Sequence, residues 1–426
     1  MIKSGAKILR VVNVVLVLLF VCVVLESGSP PQATLKTRLD QITAGKAFDF
    51  VTWELQALTQ KARYGLLSPH RWMDDAEQSR FVLDYLEDIR VSRRLTDEIH
   101  RIYTDPEIDD PEQASAEQQT ELAALRGRMA QHAPIAEAIL EAQVSEVLVQ
   151  GGVGPLAWVL PPVRGTFTPL PHVLIVSPRD RIETIYQQQL VAGLTAAEQV
   201  EIEGRVEAAD DTTTTYVTAI GGLAAYPAML LEHGSIDWVA DVMAHEWVHH
   251  YLMFYPLGWD YLRSGEARTI NETVATIVGN WAGQEVVLQY YTPLLASGKR
   301  LPSPLTPEPV DETAPPADRF DFRAEMHRTR VNVDRLLAEG KIIEAEWYME
   351  VQRRYFVAQG YRIRRLNQAY FAFHGAYAGV PGGAAGEDPI GPLVRRVWAT
   401  SPTPVEFLRS LSDVTTLETL RARVSD

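Results

Sequence analysis

The chain has 426 residues, enough for two or three domains. With 46% hydrophobic and 22% charged residues it is a folded globular chain, not a disordered one. A net charge of −15 without a basic stripe excludes nucleic acid as a partner; Arg353, Arg354, Arg364 and Arg365 stand among acids and aromatics and read as solvated helix faces. The single cysteine, Cys22, rules out an intrachain disulfide and a cysteine-built zinc site, so any metal must be held by His, Asp or Glu.

Residues 1–27 read as a signal or membrane anchor. Lys3, Lys7 and Arg10 precede the apolar run Val11–Leu25 and Glu26 follows it, an order that keeps the start in the cytoplasm and sends the bulk of the chain out. The run is short for a span, yet the exit LESGSPP lacks an Ala-x-Ala site, so the expectation is a single-pass anchor in the cell membrane, or a secreted chain if the segment is cleaved. Residues 28–150 form an N-terminal helical region with amphipathic runs at Leu35–Leu67, Trp72–Tyr103 and Ala114–Val149.

A Gly- and Pro-rich stretch at 151–171 opens the next region, 151–295. There His172–Ser177 predicts a strand, and a polar helical run follows to about Ala209. Thr212–Leu231, β-branched at its start with glycines at its centre, predicts two strands or one bulged strand. Ser235 is a candidate N-cap for a helix ending by Pro256, and a second helix covers about Gly265–Tyr291. Residues 296–319 are a Pro-rich linker or loop, and 320–426 a C-terminal helical region. This pattern is α+β and mostly helical.

The helix after Ser235 carries His245-Glu246-Trp247-Val248-His249. Two histidines four apart lie on one helix face, one turn apart, where both imidazoles can grip one Zn²⁺ and Glu246 can act on a water held there. His250 points about 100° away from His249 and is not expected to join them. A catalytic zinc needs a third protein ligand and one open position. Tyr255 stands where a metzincin would place a third histidine. Glu272, on the next helix, is the carboxylate alternative, with Glu266 and Glu285 as rivals. The bland alternative is a core helix with two satisfied histidines and a solvent-facing Glu272.

HEWVH, followed 23 positions after His249 by Glu272 in Ile270-Asn271-Glu272, with Ile277 and Gly279 beyond, resembles the active-site helices of thermolysin-type gluzincins over roughly residues 216–285. The resemblance implies a zinc metallopeptidase acting on a peptide or protein substrate. His245, His249 and Glu272 would be the ligands, and Glu246 the general base that later protonates the leaving amine. It also implies a small mixed sheet whose edge strand packs beside the two metal helices and pairs with extended substrate. Gly221, Gly222, Leu223 and Ala224 occupy that place in chain order. An electrophile for the oxyanion is expected from later in the chain. His374, Tyr370 and Tyr377 share a helix face and are the candidates, ahead of Tyr251, Tyr255 and Tyr261. One position departs from the family: Thr276 stands where these enzymes carry an aspartate that supports a histidine ligand. The alternative function is a non-enzymatic, membrane-anchored scaffold or envelope-binding protein whose HExxH helix is structural.

Overall fold

The structure, a computed structural model, describes residues 35–104, 108, 110–154, 159–292, 294, 320–376, 386 and 389–425. The expected anchor at 1–27, the Pro-rich segment 296–319 and Tyr377 lie outside them. Among the described residues, no helix is long and apolar enough to cross a membrane.

The N-terminal region is helical: Leu35–Thr43 (α1), Phe50–Leu67 (α2), Asp75–Thr104 (α3) and Ala116–Gln150 (α4). The first predicted run is two helices, because Asp49 starts a new one by accepting a hydrogen bond from the Thr52 N–H. Helices α3 and α4 pack together and bury Tyr85, Leu86, Ile89, Ile139, Leu140 and Val144 in the same core as the helices that carry His245 and Glu272.

Two small sheets follow. Strands Gly165–Phe167 (β1), His172–Pro178 (β2), Tyr186–Leu190 (β3), Thr213–Ala219 (β4), Gly222–Leu223 (β5) and Ala228–Leu230 (β6) form the orders β3-β2-β4 and β1-β6-β5. The first sheet is antiparallel, and the second is mixed, with β1 parallel and β5 antiparallel to β6. Strand β2 alternates as a two-sided strand must. Leu174 and Val176 join a cluster with Ile202 and Val206 of helix Ala196–Ala209 (α5), while Val173 and Ile175 face Ala369 on the other side. Helix α5 begins in a capping box between Thr195 and Glu198. The polar run expected to be helical thus divides into β3 and α5, with Val173 opposite Gln189 and Ile175 opposite Gln187.

Helices Ile236–Leu252 (α6) and Gly265–Val286 (α7) form the centre of the molecule. Helix α6 is apolar nearly all round, so it is buried on most faces. Trp247, opposite the two histidines, is fully buried and donates its indole N–H to the Pro161 carbonyl at 2.7 Å. The C-terminal region contributes Phe322–Ala338 (α8), Ile342–Ala358 (α9), Gln368–His374 (α10), Ile390–Thr400 (α11), Pro404–Leu411 (α12) and Leu417–Ser425 (α13). Buried Glu203 of α5 accepts from Arg364 and Arg365, tying this region to the first sheet. The architecture is α+β and mostly helical, as expected, with the mixed sheet packed on α6 through β5 and β6.

Candidate metal centre and catalytic cleft

Helices α6 and α7 approach closely because α7 presents glycine where they touch. A Cβ on Gly279 would lie 2.9 Å from the Asp241 carbonyl oxygen and 3.0 Å from the His245 Cβ, and one on Gly283 would lie 2.9 Å from the Asp241 nitrogen. Larger residues at either place would push the helices apart. This contact sets how far Glu272 on α7 stands from the histidines on α6.

The resulting triangle is small. His245 Nε2 and His249 Nε2 are 3.1 Å apart, and Glu272 Oε2 lies 3.4 Å from the first and 3.6 Å from the second. Ligands bound tetrahedrally at about 2.0–2.1 Å stand about 3.3 Å from one another, so the three atoms have the spacing of one face of a zinc coordination shell. Glu272 Oε2 is also buried with no hydrogen-bond partner, the state of a ligand atom whose partner is an ion. Among the described residues, this is the cluster of His, Cys, Asp or Glu groups that can hold a metal.

The surrounding residues orient each ligand. Asn271 Oδ1 accepts from His249 Nδ1 at 2.7 Å while Asn271 Nδ2 donates to the Leu257 carbonyl at 3.2 Å. That fixes the ring so that its Nε2 lone pair faces the triangle. The Tyr261 hydroxyl donates to Glu272 Oε1, leaving Oε2 for the centre. Burial alone would keep His249 neutral, but the Glu272 carboxylate carries it up to about 9. Glu272 itself is drawn far below the usual carboxylate range by the two histidines, against the effect of burial. Asp241, one turn before His245 on α6, has its carboxyl pushed up by burial to about 7 in spite of that histidine. Thr276 is buried at the position where the aspartate was missed.

Glu246 is buried beside the triangle, and burial raises its pKa in spite of both histidines. Its carboxylate lies in the space a side chain at Gly222 would fill. The cleft above the centre holds about 500 Å³. One wall is the edge strand β5, with Gly222, Leu223 and Ala224 on the lining, whereas Gly221 backs onto Trp238. The facing wall is Val173, Ile175, Gln187 and Gln189 of the first sheet, with Phe373 of α10. His250 donates from Nε2 to the Ala225 carbonyl at 2.6 Å and so pins the turn after β5.

The structure brings His245, Glu246, His249 and Glu272 together. Glu266 instead accepts from the Leu417 N–H, and Glu285 is exposed. His374 and Tyr370 are not on the cleft lining: the His374 ring lies 4.3 Å from Tyr370 and 5.9 Å from Tyr216, while Ala372 and Phe373 of α10, and Ala376 just after it, line the cleft. The reason is helical phase, since residues 370 and 374 share a face that packs on β4. The polar groups that line the cleft near the triangle include Tyr261, Asn271 and Arg268. Arg268 was detectable in principle, being one turn before Glu272 on α7. Compared with protein-family models, with curated proteins and with solved structures, the chain matches none.

Proposed function

We propose that the protein is a zinc-dependent peptidase, held outside the cytoplasm through its N-terminal segment. The observation that carries this reading is the triangle of His245, His249 and Glu272 with a buried glutamate beside it. Two imidazoles and one carboxylate are a donor set that suits zinc and leaves a fourth position open. When bound, the ion supplies a Lewis acid that polarises a carbonyl and brings the pKa of a water to about 7.

The chain's own residues do the rest. Glu246, made more basic by burial, takes the proton of the attacking water and delivers it to the departing amine, so the carboxylate is regenerated at the end of each cycle. Edge strand β5 offers unpaired backbone groups to an extended chain, which favours a peptide over a compact substrate. The apolar walls, Val173, Ile175, Leu223 and Phe373, suit apolar side chains. Asn271 and Tyr261 hold the ligands in orientation.

The test is metal analysis with one variant. Purified protein should carry about one zinc per chain, and Glu246→Gln should keep that zinc while losing peptide hydrolysis by at least about a hundredfold. Undiminished cleavage by Glu246→Gln would remove the proposed mechanism.

A further inference from the structure

We propose that Arg268 forms a subsite for a substrate carboxylate, so that the preferred substrates carry a free C-terminus or an acidic side chain close to the cleaved bond. This rests on the peptidase reading above for the identity of the substrate as a peptide.

Arg268 is half-buried and lines the same cleft as the triangle. Its guanidinium carbon lies 5.6 Å from the centroid of the Tyr261 ring, so the aromatic face holds the cation in place. Its Nε is buried and has no hydrogen-bond partner, and no carboxylate among the described residues forms an ion pair with it. Other part-buried arginines of this chain behave differently: Arg179, Arg353 and Arg364 hold carboxylates at 2.6, 2.7 and 2.6 Å. Acids are abundant, with 55 in the sequence, and Glu54 itself lines the cleft, so an unmatched guanidinium there is a local arrangement rather than a shortage of partners.

Three glutamates line the cleft, and none of them pairs with Arg268; Glu54 of α2 is one. Glu272 faces the two histidines and Tyr261, and Glu246 lies against β5. With a divalent cation offsetting those two carboxylates, the guanidinium is the charge left without a counter-ion. A planar fork of donors matches a carboxylate, which it can bind through two hydrogen bonds. Arg268 precedes Glu272 by one helical turn, about 6 Å along the axis. An extended substrate advances about 3.3 Å per residue, which puts the bound carboxylate within two or three residues of the cleaved bond.

The experiment measures binding, so it does not depend on turnover. Zinc-loaded Glu246→Gln protein is titrated calorimetrically with short acetylated peptides of alanine and leucine in two matched pairs. One pair differs only in a C-terminal carboxylate or amide; the other ends in amide and carries an internal glutamate or glutamine. In one pair the charged member should bind about tenfold tighter or more, and that pair identifies the source of the carboxylate. The preference should disappear in Glu246→Gln with Arg268→Ala, and return in part with Arg268→Lys. Arg268→Gln, which keeps the polar stem, guards against a folding defect, with zinc content as the control. Equal binding within both pairs, or a preference that survives loss of Arg268, overturns the subsite. If the preference holds but wild-type protein cleaves none of the peptides, the subsite stands and the peptidase reading falls.

Discussion

Gly222 lies against Glu246 so closely that a Cβ there would stand 2.9 Å from the glutamate Cδ and 2.9 Å from Cγ1 of Val242. The edge strand and the Glu246 carboxylate therefore share one space. Adding a methyl group at 222 has to displace the carboxylate, since Val242 is held on α6. A shift of about 1 Å at a reacting group can cost on the order of 100-fold in rate. Gly222→Ala should accordingly lower kcat by about that factor and leave zinc content unchanged, because the atoms nearest the new methyl belong to Glu246 and Val242. Steady-state kinetics with metal analysis checks this, and full activity would show that Glu246 does not work from the position seen here.

Tyr261 and Asn271 touch ligands without belonging to the triangle. Removing such orienting partners typically costs about 10–100-fold in metal affinity. Tyr261→Phe and Asn271→Ala should each weaken zinc binding in that range when measured by competition with a chelator. Tyr370→Phe and His374→Phe should leave it unchanged, because their rings pack on Tyr216. A loss of affinity confined to the second pair would reverse the two sets.

The helices α6 and α7 were legible because their information is local. The four-residue spacing of His245 and His249 needs only helical geometry, and Glu272 follows once two paired helices are assumed. The long helices α3 and α4 were legible for the same reason. What was hidden depends on contacts distant in sequence. The strand at 186–190 reads Tyr-Gln-Gln-Gln-Leu, which has no apolar alternation, and becomes a strand only by pairing with β2. Strand β1 is three residues long and lies in a Gly- and Pro-rich stretch. Tyr370 and His374 were correctly expected on one helix face, but no local pattern says which face turns to the cleft. Arg268 carries no motif and gains meaning only from the emptiness around its guanidinium.

Stability should fall in acid for a reason that lies outside the metal centre. Burial pushes His374, packed among Tyr216, Tyr370 and Phe373, and His233, packed on Trp238, down to about 4 each. Unfolded histidine takes its proton near 6.5. Between these values the unfolded chain binds more protons than the folded one, so stability is fully present above about pH 6.5 and is lost as pH falls toward 4. For His374 the loss by pH 5 is on the order of 1–2 kcal/mol. Urea unfolding of the wild type and of His374→Phe between pH 7 and 5 measures it. The variant should show the shallower decline, and parallel curves would remove His374 from the account.

Lys61 joins the helical N-terminal region to the sheet that borders the cleft. Its ammonium lies 2.7 Å from both Glu137 and Glu141 and donates to the Gly165 carbonyl at 2.5 Å. The same two glutamates accept from the backbone N–H groups of Phe167 and Gly165. Strand β1 is therefore fastened to α2 and α4 by one buried cation and two buried carboxylates, and β1 carries β6, which carries β5. Removing the ammonium leaves buried Glu137 without its cation and Glu141 with Arg164 alone; breaking a buried pair in this way costs about 3–5 kcal/mol. Lys61→Ala should lose stability in that range by urea unfolding, and adding Glu137→Gln with Glu141→Gln should recover part of it, because neutral amides need no counter-ion. If the single variant unfolds at the wild-type midpoint, the cluster is solvated and β1 is held by its pairing with β6 alone.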